Sequence, residues 1–216
     1  MATTKLIASL ATGAAIAAAG IVSLAPAAIA GKDATTAKVG EPAPAFTLVD
    51  YTGAKHSLAD LTADEKIVVL EWWNPECPFV VKHHQLSNTM TDLAAKYADQ
   101  GVVWMAINSG AEGKQGYGID EEMAKKWKVE YPVLIDSDGT VGHMYSAKPT
   151  PHMFIIDAKG VLVYAGDIDD DRNPKPASDP STVTNYVDQA LTQLLAGETI
   201  SVPETKPYGC SVKYAK

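Results

Sequence analysis

Arginine is nearly absent from this chain of 216 residues, and Arg172 is its sole example. Cysteine is almost as scarce, with only Cys77 and Cys210. Basic side chains are outnumbered by acidic ones, 18 to 26, giving a formal net charge of −8. An acidic chain with one guanidinium lacks the electrostatic footprint of a nucleic-acid binder or of a protein drawn to an anionic membrane. Internal repeats and sustained heptads are also missing, which excludes solenoids and coiled coils.

Residues 1–30 contain no Asp or Glu. Lys5, the apolar stretch LIASLATGAAIAAAGIVSL and the small residues Ala28-Ile29-Ala30 read together as a cleaved export signal. An uncleaved anchor is the alternative, but the stretch is rich in Ala and Gly and weakly apolar for a span. Cleavage would leave Gly31 first and, by removing Lys5, take the formal charge from −8 to −9. The remaining 186 residues suit one domain with a sizeable core. The product would be periplasmic or secreted, without a membrane span, where a disulfide between the two cysteines can persist.

Cys77 sits in EWWNPECPFVVKHH, where a strand pattern gives way to a helix pattern. IVVLEWW before it is a near-continuous apolar run, as a buried parallel strand requires. Pro78 opens a long helical pattern that ends before Gly101, matching the preference for proline first and glycine just past the end. Cys77 is therefore expected at the helix N-cap, where backbone N–H groups and the helix dipole favour a thiolate. The competing reading is a buried structural cysteine.

Further along, VGEPAPAFTLVDYTGAKHSLADL gives two extended pieces around a turn at 51–53, and GVVWMAIN (101–108) is the next apolar strand. A glycine-rich loop (109–118), a helix (119–129) and a short extended piece (132–136) follow. A turn with a short helix (137–147) leads to a hairpin, 151–157 with 161–168. An amphipathic helix covers 181–197, with Tyr186, Ala190, Leu191, Leu194 and Leu195 on one side. This order predicts an α/β fold whose sheet has a parallel and an antiparallel part. Signal peptide 1–30, linker 31–38, folded domain 39–197 and a patternless tail 198–216 carrying Cys210 complete the expected organisation.

EWWNPEC, Thr150-Pro151 at the start of a strand about seventy residues later, TPHMFIID and the terminal GCSVKY carry a resemblance. Together with the order of elements from about Val39 to Leu195, they make the chain similar to the thioredoxin-like redoxins of the AhpC/TSA type. That group holds thioredoxins, exported TlpA-type thiol oxidoreductases and peroxiredoxins. The resemblance implies a thioredoxin-like fold, a central mixed sheet flanked by helices. It implies an oxidoreductase acting on protein thiols and disulfides or on hydroperoxides, supplied by an external thiol reductant, with no prosthetic group and no metal. Cys77 would be the nucleophile, and Thr150 with a cis Pro151 the edge to which a substrate strand bonds. Glu71, matching a buried thioredoxin aspartate, would relay a proton; the alternative is a carboxylate turned to a polar neighbour at a sheet surface. Trp73 would pack beneath the active loop, and Asn74 would bond a substrate or cap the turn.

The sequence departs from both best-described sites. Val80 occupies the second cysteine position of a CxxC, and Asn74 replaces the Thr or Ser that peroxiredoxins place three residues before their cysteine. Cys210, preceded by Gly209, is the candidate resolving thiol. A static disulfide or a free thiol are the alternatives. A non-catalytic peptide-binding module on the same scaffold is the rival from another functional class.

The histidines point mainly to packing: His83 joins a stripe with Phe79, Leu86, Met90, Leu93 and Tyr97. Copper-delivery proteins of related fold use CxxxC, and that position is Val81. Asp167, Asp169, Asp170 and Asp171 lack the spacing of a calcium loop and read as a solvated acidic loop.

Overall fold

In the computed structural model, Met1, 36–119 and 121–216 are described. The expected signal segment lies outside the described residues. Among those described, no helix is long and apolar enough to cross a membrane.

The IVVLEW run forms β3 (Ile67–Trp72), whose residues from Val68 onward are all buried. It lies between β4 (Val102–Asn108), which is parallel to it, and β7 (His152–Ile156), which is antiparallel. Burial on both faces explains the lack of polar alternation in all three strands. β1 (Thr47–Asp50), β2 (Lys55–Ser57), β5 (Val133–Ile135) and β8 (Leu162–Gly166) complete one mixed sheet in the order β2-β1-β5-β4-β3-β7-β8. A second, two-stranded sheet joins β6 (Pro149–Thr150) to β9 (Cys210–Ser211). The fold is thioredoxin-like, a mixed sheet flanked by helices.

One face of the sheet packs Leu70, Trp72, Met105 and Phe154 with Tyr145. The other packs Val69, Trp104, Met153 and Ile155 with Val187, Ala190 and Leu191 of α6 (Tyr186–Leu195). Each fully buried large apolar side chain of this kind contributes about 1.5–3 kcal/mol. α6 starts where Asn185 accepts the Asp188 N–H through its side chain. Two further helices are short: α4 (Glu121–Trp127) and α5 (Thr140–Met144). A helix absent from the sequence reading, α1 (Leu58–Ala63), begins where the Ser57 hydroxyl accepts the Asp60 N–H. Ala37, inside the expected linker, donates its N–H to the Met144 carbonyl at 2.8 Å and packs on the core.

The long helix expected after Cys77 is broken into three pieces. α2 (Pro78–Val81) runs into a π-helical turn, Lys82–Leu86, and α3 (Thr89–Ala98) starts after Asn88 at φ +54°. The π turn is closed by the Ser87 N–H on the Lys82 carbonyl, a reach of five residues. The extra residue rotates the helix surface. Leu86, expected on the apolar stripe, is 57% exposed, whereas Lys82, His83 and His84 are all buried.

Candidate active site

The segment from Trp73 to Cys77 leaves the end of β3 and is fixed by its own polar groups. Asn74 Oδ1 accepts the Glu76 N–H at 2.8 Å, and the Asn74 carbonyl accepts the Cys77 N–H at 3.1 Å. Asn74 thus caps the turn. Glu76 Oε1 accepts the Gly116 N–H at 3.1 Å, tying the turn to the glycine-rich loop. Gly116 has φ +73°, and a Cβ there would lie 1.9 Å from Asn74 Oδ1, so the two loops approach as only glycine allows.

Cys77 is the N-cap residue of α2, but its sulfur makes no capping bond. The Sγ instead donates to the Thr150 carbonyl at 3.0 Å. The reason is tertiary: Thr150 precedes Pro151 across a cis peptide bond, and its carbonyl faces the sulfur. Cys77 is fully buried among Trp73, Val80, Ala106 and Trp127. Trp73, in the same apolar cluster as Cys77, meets Trp127 edge-to-face at 5.5 Å.

What covers Cys77 is the tail. Thr150 pairs with Cys210 and Pro149 with Ser211 in antiparallel register. Thr150 Oγ1 also donates to the Cys210 carbonyl at 3.4 Å. Both cysteines carry free thiols, and Cys210 packs against the cluster that holds Cys77. Burial, a hydrogen bond to the Cys77 sulfur and the Cys77 charge together push the Cys210 thiol up to about 12. Gly209, at φ +134°, lies so close that a Cβ would come within 2.0 Å of the Thr150 carbonyl oxygen.

The tail is held on both sides of Cys210. Val212 donates its N–H to the Lys148 carbonyl at 2.7 Å, Tyr214 its hydroxyl to the Ala147 carbonyl at 2.7 Å, and the Tyr214 ring stacks on His143. On the other side, Tyr208 packs edge-to-face on Phe79 with centroids 5.4 Å apart. Its hydroxyl donates to Asp169 Oδ1 at 2.5 Å and meets His83 Nε2 at 3.0 Å. Burial, ahead of the Lys82 and His84 charges, lowers His83 to about 3, so the imidazole is neutral here.

These contacts correct the reading of a solvated acidic loop at Asp167, Asp169 and Asp171, whereas Asp170 is exposed. Asp167 and Asp169 are buried, and Asp171 Oδ2 lies 2.9 Å from the buried Lys82 Nζ. Arg172 donates to Asp167 Oδ2 at 2.6 Å and to the Lys206 carbonyl at 2.8 Å, so the chain's single arginine straps the tail down. Burial pushes Asp167 up to about 6 against the pull of Arg172. A carboxyl raised in the folded state favours its protonated form there. Its contribution to stability therefore falls as pH rises from an ordinary carboxylate value near about 4 through about 6, then levels off. Urea unfolding across this range should show the wild type losing stability relative to Asp167→Asn. A wild type that gains on the variant as pH rises would contradict the assignment.

Glu71 is fully buried in the middle of the sheet. Its Oε1 lies 2.7 Å from His84 Nε2, and its Oε2 accepts from Tyr131 at 3.0 Å and Trp104 at 3.2 Å. Its partners are thus an imidazole, a phenol and an indole from three other segments. The π turn brings His84 to Glu71 and His83 to Tyr208. The structure thus brings Cys77, Cys210, Thr150, Pro151, Trp73 and Asn74 to one end of the domain, and sets Glu71 in a neighbouring polar cluster. Tyr208 and Lys82 went unread in the sequence, while His83 reads there as packing, Asp169 as solvated and Arg172 only as a lone guanidinium. Among the described residues, no cluster of three or more His, Cys, Asp or Glu side chains is arranged to hold a metal ion.

The sequence profile of the AhpC/TSA family matches residues 39–165. The thiol-disulfide oxidoreductase ResA of Geobacillus kaustophilus is 32% identical over 126 residues, 58% of this chain and 67% of the relative. The thiol:disulfide interchange protein DsbE of Pasteurella multocida is 27% identical over 135 residues, 62% of this chain and 69% of that protein. A crystal structure of a hypothetical protein from Sinorhizobium meliloti 1021 superposes with a TM-score of 0.71 at 27% identity, covering 84% of this chain and 97% of its own. An uncharacterized conserved protein from Geobacillus kaustophilus gives the same TM-score, 0.71, and covers 82% of this chain and 93% of its own.

Proposed function

The chain belongs to the AhpC/TSA family of thiol oxidoreductases, and on that footing we propose that Cys77 is its redox nucleophile and Cys210 the thiol that resolves it. The observation that carries this reading is that both cysteines meet at one residue. Thr150 accepts from the Cys77 sulfur at 3.0 Å and pairs in register with Cys210.

In the first step the Cys77 thiolate attacks a substrate sulfur or a peroxide oxygen. A disulfide substrate gives a mixed disulfide at Cys77 and one released thiol. A hydroperoxide gives a sulfenic acid and a molecule of water or alcohol. In the second step the Cys210 thiolate attacks the Cys77 sulfur. The Cys77–Cys210 disulfide forms, and the second substrate thiol, or water, leaves. An external thiol reductant returns both cysteines to the reduced state. No prosthetic group takes part.

The high pKa of Cys210 fits this order. Burial is the largest of its causes, and a further one is the charge of a Cys77 thiolate, which a sulfenic acid or mixed disulfide lacks. The acidic composition, the acid-free residues 1–30 and the pair of cysteines support export to an oxidising compartment as the setting of this chemistry.

The test is one equivalent of hydrogen peroxide, followed by peptide mass mapping. The wild type should become lighter by two hydrogen atoms and yield a Cys77–Cys210 linked pair. Cys210→Ser should accumulate sulfenic acid or an intermolecular disulfide at Cys77. Equal over-oxidation of Cys77 in both proteins would remove Cys210 from the cycle.

A further inference from the structure

The tail lies on the site as a bound peptide would. An extended chain adds to the exposed edge of β6 in antiparallel register, the geometry by which a foreign strand is taken onto a sheet. Each residue of the Tyr208-Gly209-Cys210 run meets a distinct feature of the body. The Tyr208 ring sits on Phe79 with its hydroxyl between His83 and Asp169, and the Arg172 guanidinium lies 5.6 Å from the ring. At Gly209 there is room for no side chain, since a Cβ would stand 2.0 Å from the Thr150 oxygen. Cys210 then arrives against the cluster that contains Cys77.

We propose that this groove selects, as substrate in trans, extended protein segments in which a tyrosine and a glycine directly precede the reacting cysteine, the chain's own tail being a built-in copy of that segment. The inference rests on Cys77 being the nucleophile and names what it acts on. The docked tail holds the groove at a high local concentration, so an external segment gains access when the tail lifts. Tyrosine is suited to anchoring, because it brings a large ring and one hydroxyl at low entropic cost. The glycine is a filter, because a side chain there must push the strand off β6 and carry the cysteine away from Cys77.

The test uses the full chain carrying Cys210→Ser, with and without Tyr208→Ala and Gly209→Val to loosen the tail. The probe is the peptide Lys-Pro-Tyr-Gly-Cys-Ser-Val, its cysteine joined to thionitrobenzoate as a mixed disulfide. Attack by the Cys77 thiolate forms the Cys77–peptide disulfide and releases coloured thionitrobenzoate, which carries off the electron pair. Release should be at least about tenfold slower from a peptide with valine in place of glycine, the discrimination that misplaced methyl groups produce in a close-fitting site. Alanine in place of tyrosine should also slow it. The loosened variant should react faster than Cys210→Ser alone and keep the same ranking.

Equal rates for the three peptides, with ready attack on the small symmetric nitrobenzoate disulfide, would overturn the selectivity and leave Cys77 as nucleophile. No Cys77-dependent release from either kind of disulfide would overturn both. Cys77→Ser in the same background sets the zero of the measurement.

Discussion

Cys77→Ser is expected to lose turnover with disulfides and with peroxides by at least about 10³-fold, while Cys210→Ser keeps the first half-reaction and loses the second. The asymmetry follows from the surroundings of the two sulfurs. Cys210 cannot stand in for Cys77. Burial is the largest cause that pushes its thiol up to about 12, and burial remains when Cys77 is replaced. Burial thus leaves less of it ionised at neutral pH than a free cysteine would be, and the thiol form is a poor nucleophile. Stopped-flow reaction with a small aromatic disulfide separates the halves. The wild type should release both equivalents of aryl thiol, Cys210→Ser one, and Cys77→Ser none on the same timescale. Two equivalents released by Cys210→Ser would mean that a thiol outside this chain resolves Cys77.

The second large effect is on stability. Lys82→Met should lower the unfolding free energy by about 3–5 kcal/mol, because a buried charge is left without its partner. The Lys82 Nζ lies 2.9 Å from Asp171 Oδ2 and 4.0 Å from Asp169 Oδ1, and it donates to the Asp171 carbonyl. Removing it leaves the buried Asp169 and the half-buried Asp171 without their cation. The neutral triple variant Lys82→Met, Asp169→Asn, Asp171→Asn should recover most of the loss, since no uncompensated charge remains. Urea denaturation of the two variants checks both halves of the argument. A cost below about 1 kcal/mol for Lys82→Met, the range of an exposed pair, would mean that water reaches the site. Asp169 also accepts the Tyr208 hydroxyl, so the same substitution should loosen the tail.

The strands around Cys77 were legible because a sheet covered on both faces writes itself as continuous apolar runs: IVVLEWW and GVVWMAIN became β3 and β4. The hairpin of β7 and β8 was legible from its turn. Pro78 at the start of α2 was readable because proline suits the first helical position, and Thr150-Pro151 opposite it through the family resemblance alone. The helix break was not. Nothing in KHHQL announces a π turn, whose reward is tertiary: it carries His83 to the tail and His84 to Glu71, side by side in sequence and separated in task. The burial of Asp167 and Asp169 was hidden because a run of aspartates reads as solvated unless its cations are known. One of those, Lys82, lies 89 residues from Asp171 along the chain. The tail has no periodicity because it docks through single side chains and a two-residue strand, not through an amphipathic face. Cys210 stood out only as the other cysteine, and Ser57 with Asp60 was a helix start that went unread.

A last consequence concerns what β9 hides. A strand with free N–H and C=O groups on one side is a template for any passing extended chain, and proteins that live at high concentration keep such edges shielded. Here the shield and the thiol proposed to resolve Cys77 are the same few residues. While the tail lies on Pro149 and Thr150, the molecule presents no vacant rung at that edge to its neighbours. Each time chemistry draws Cys210 away, the rung is uncovered. Shielding of that edge and the proposed redox cycle are therefore tied to a single contact.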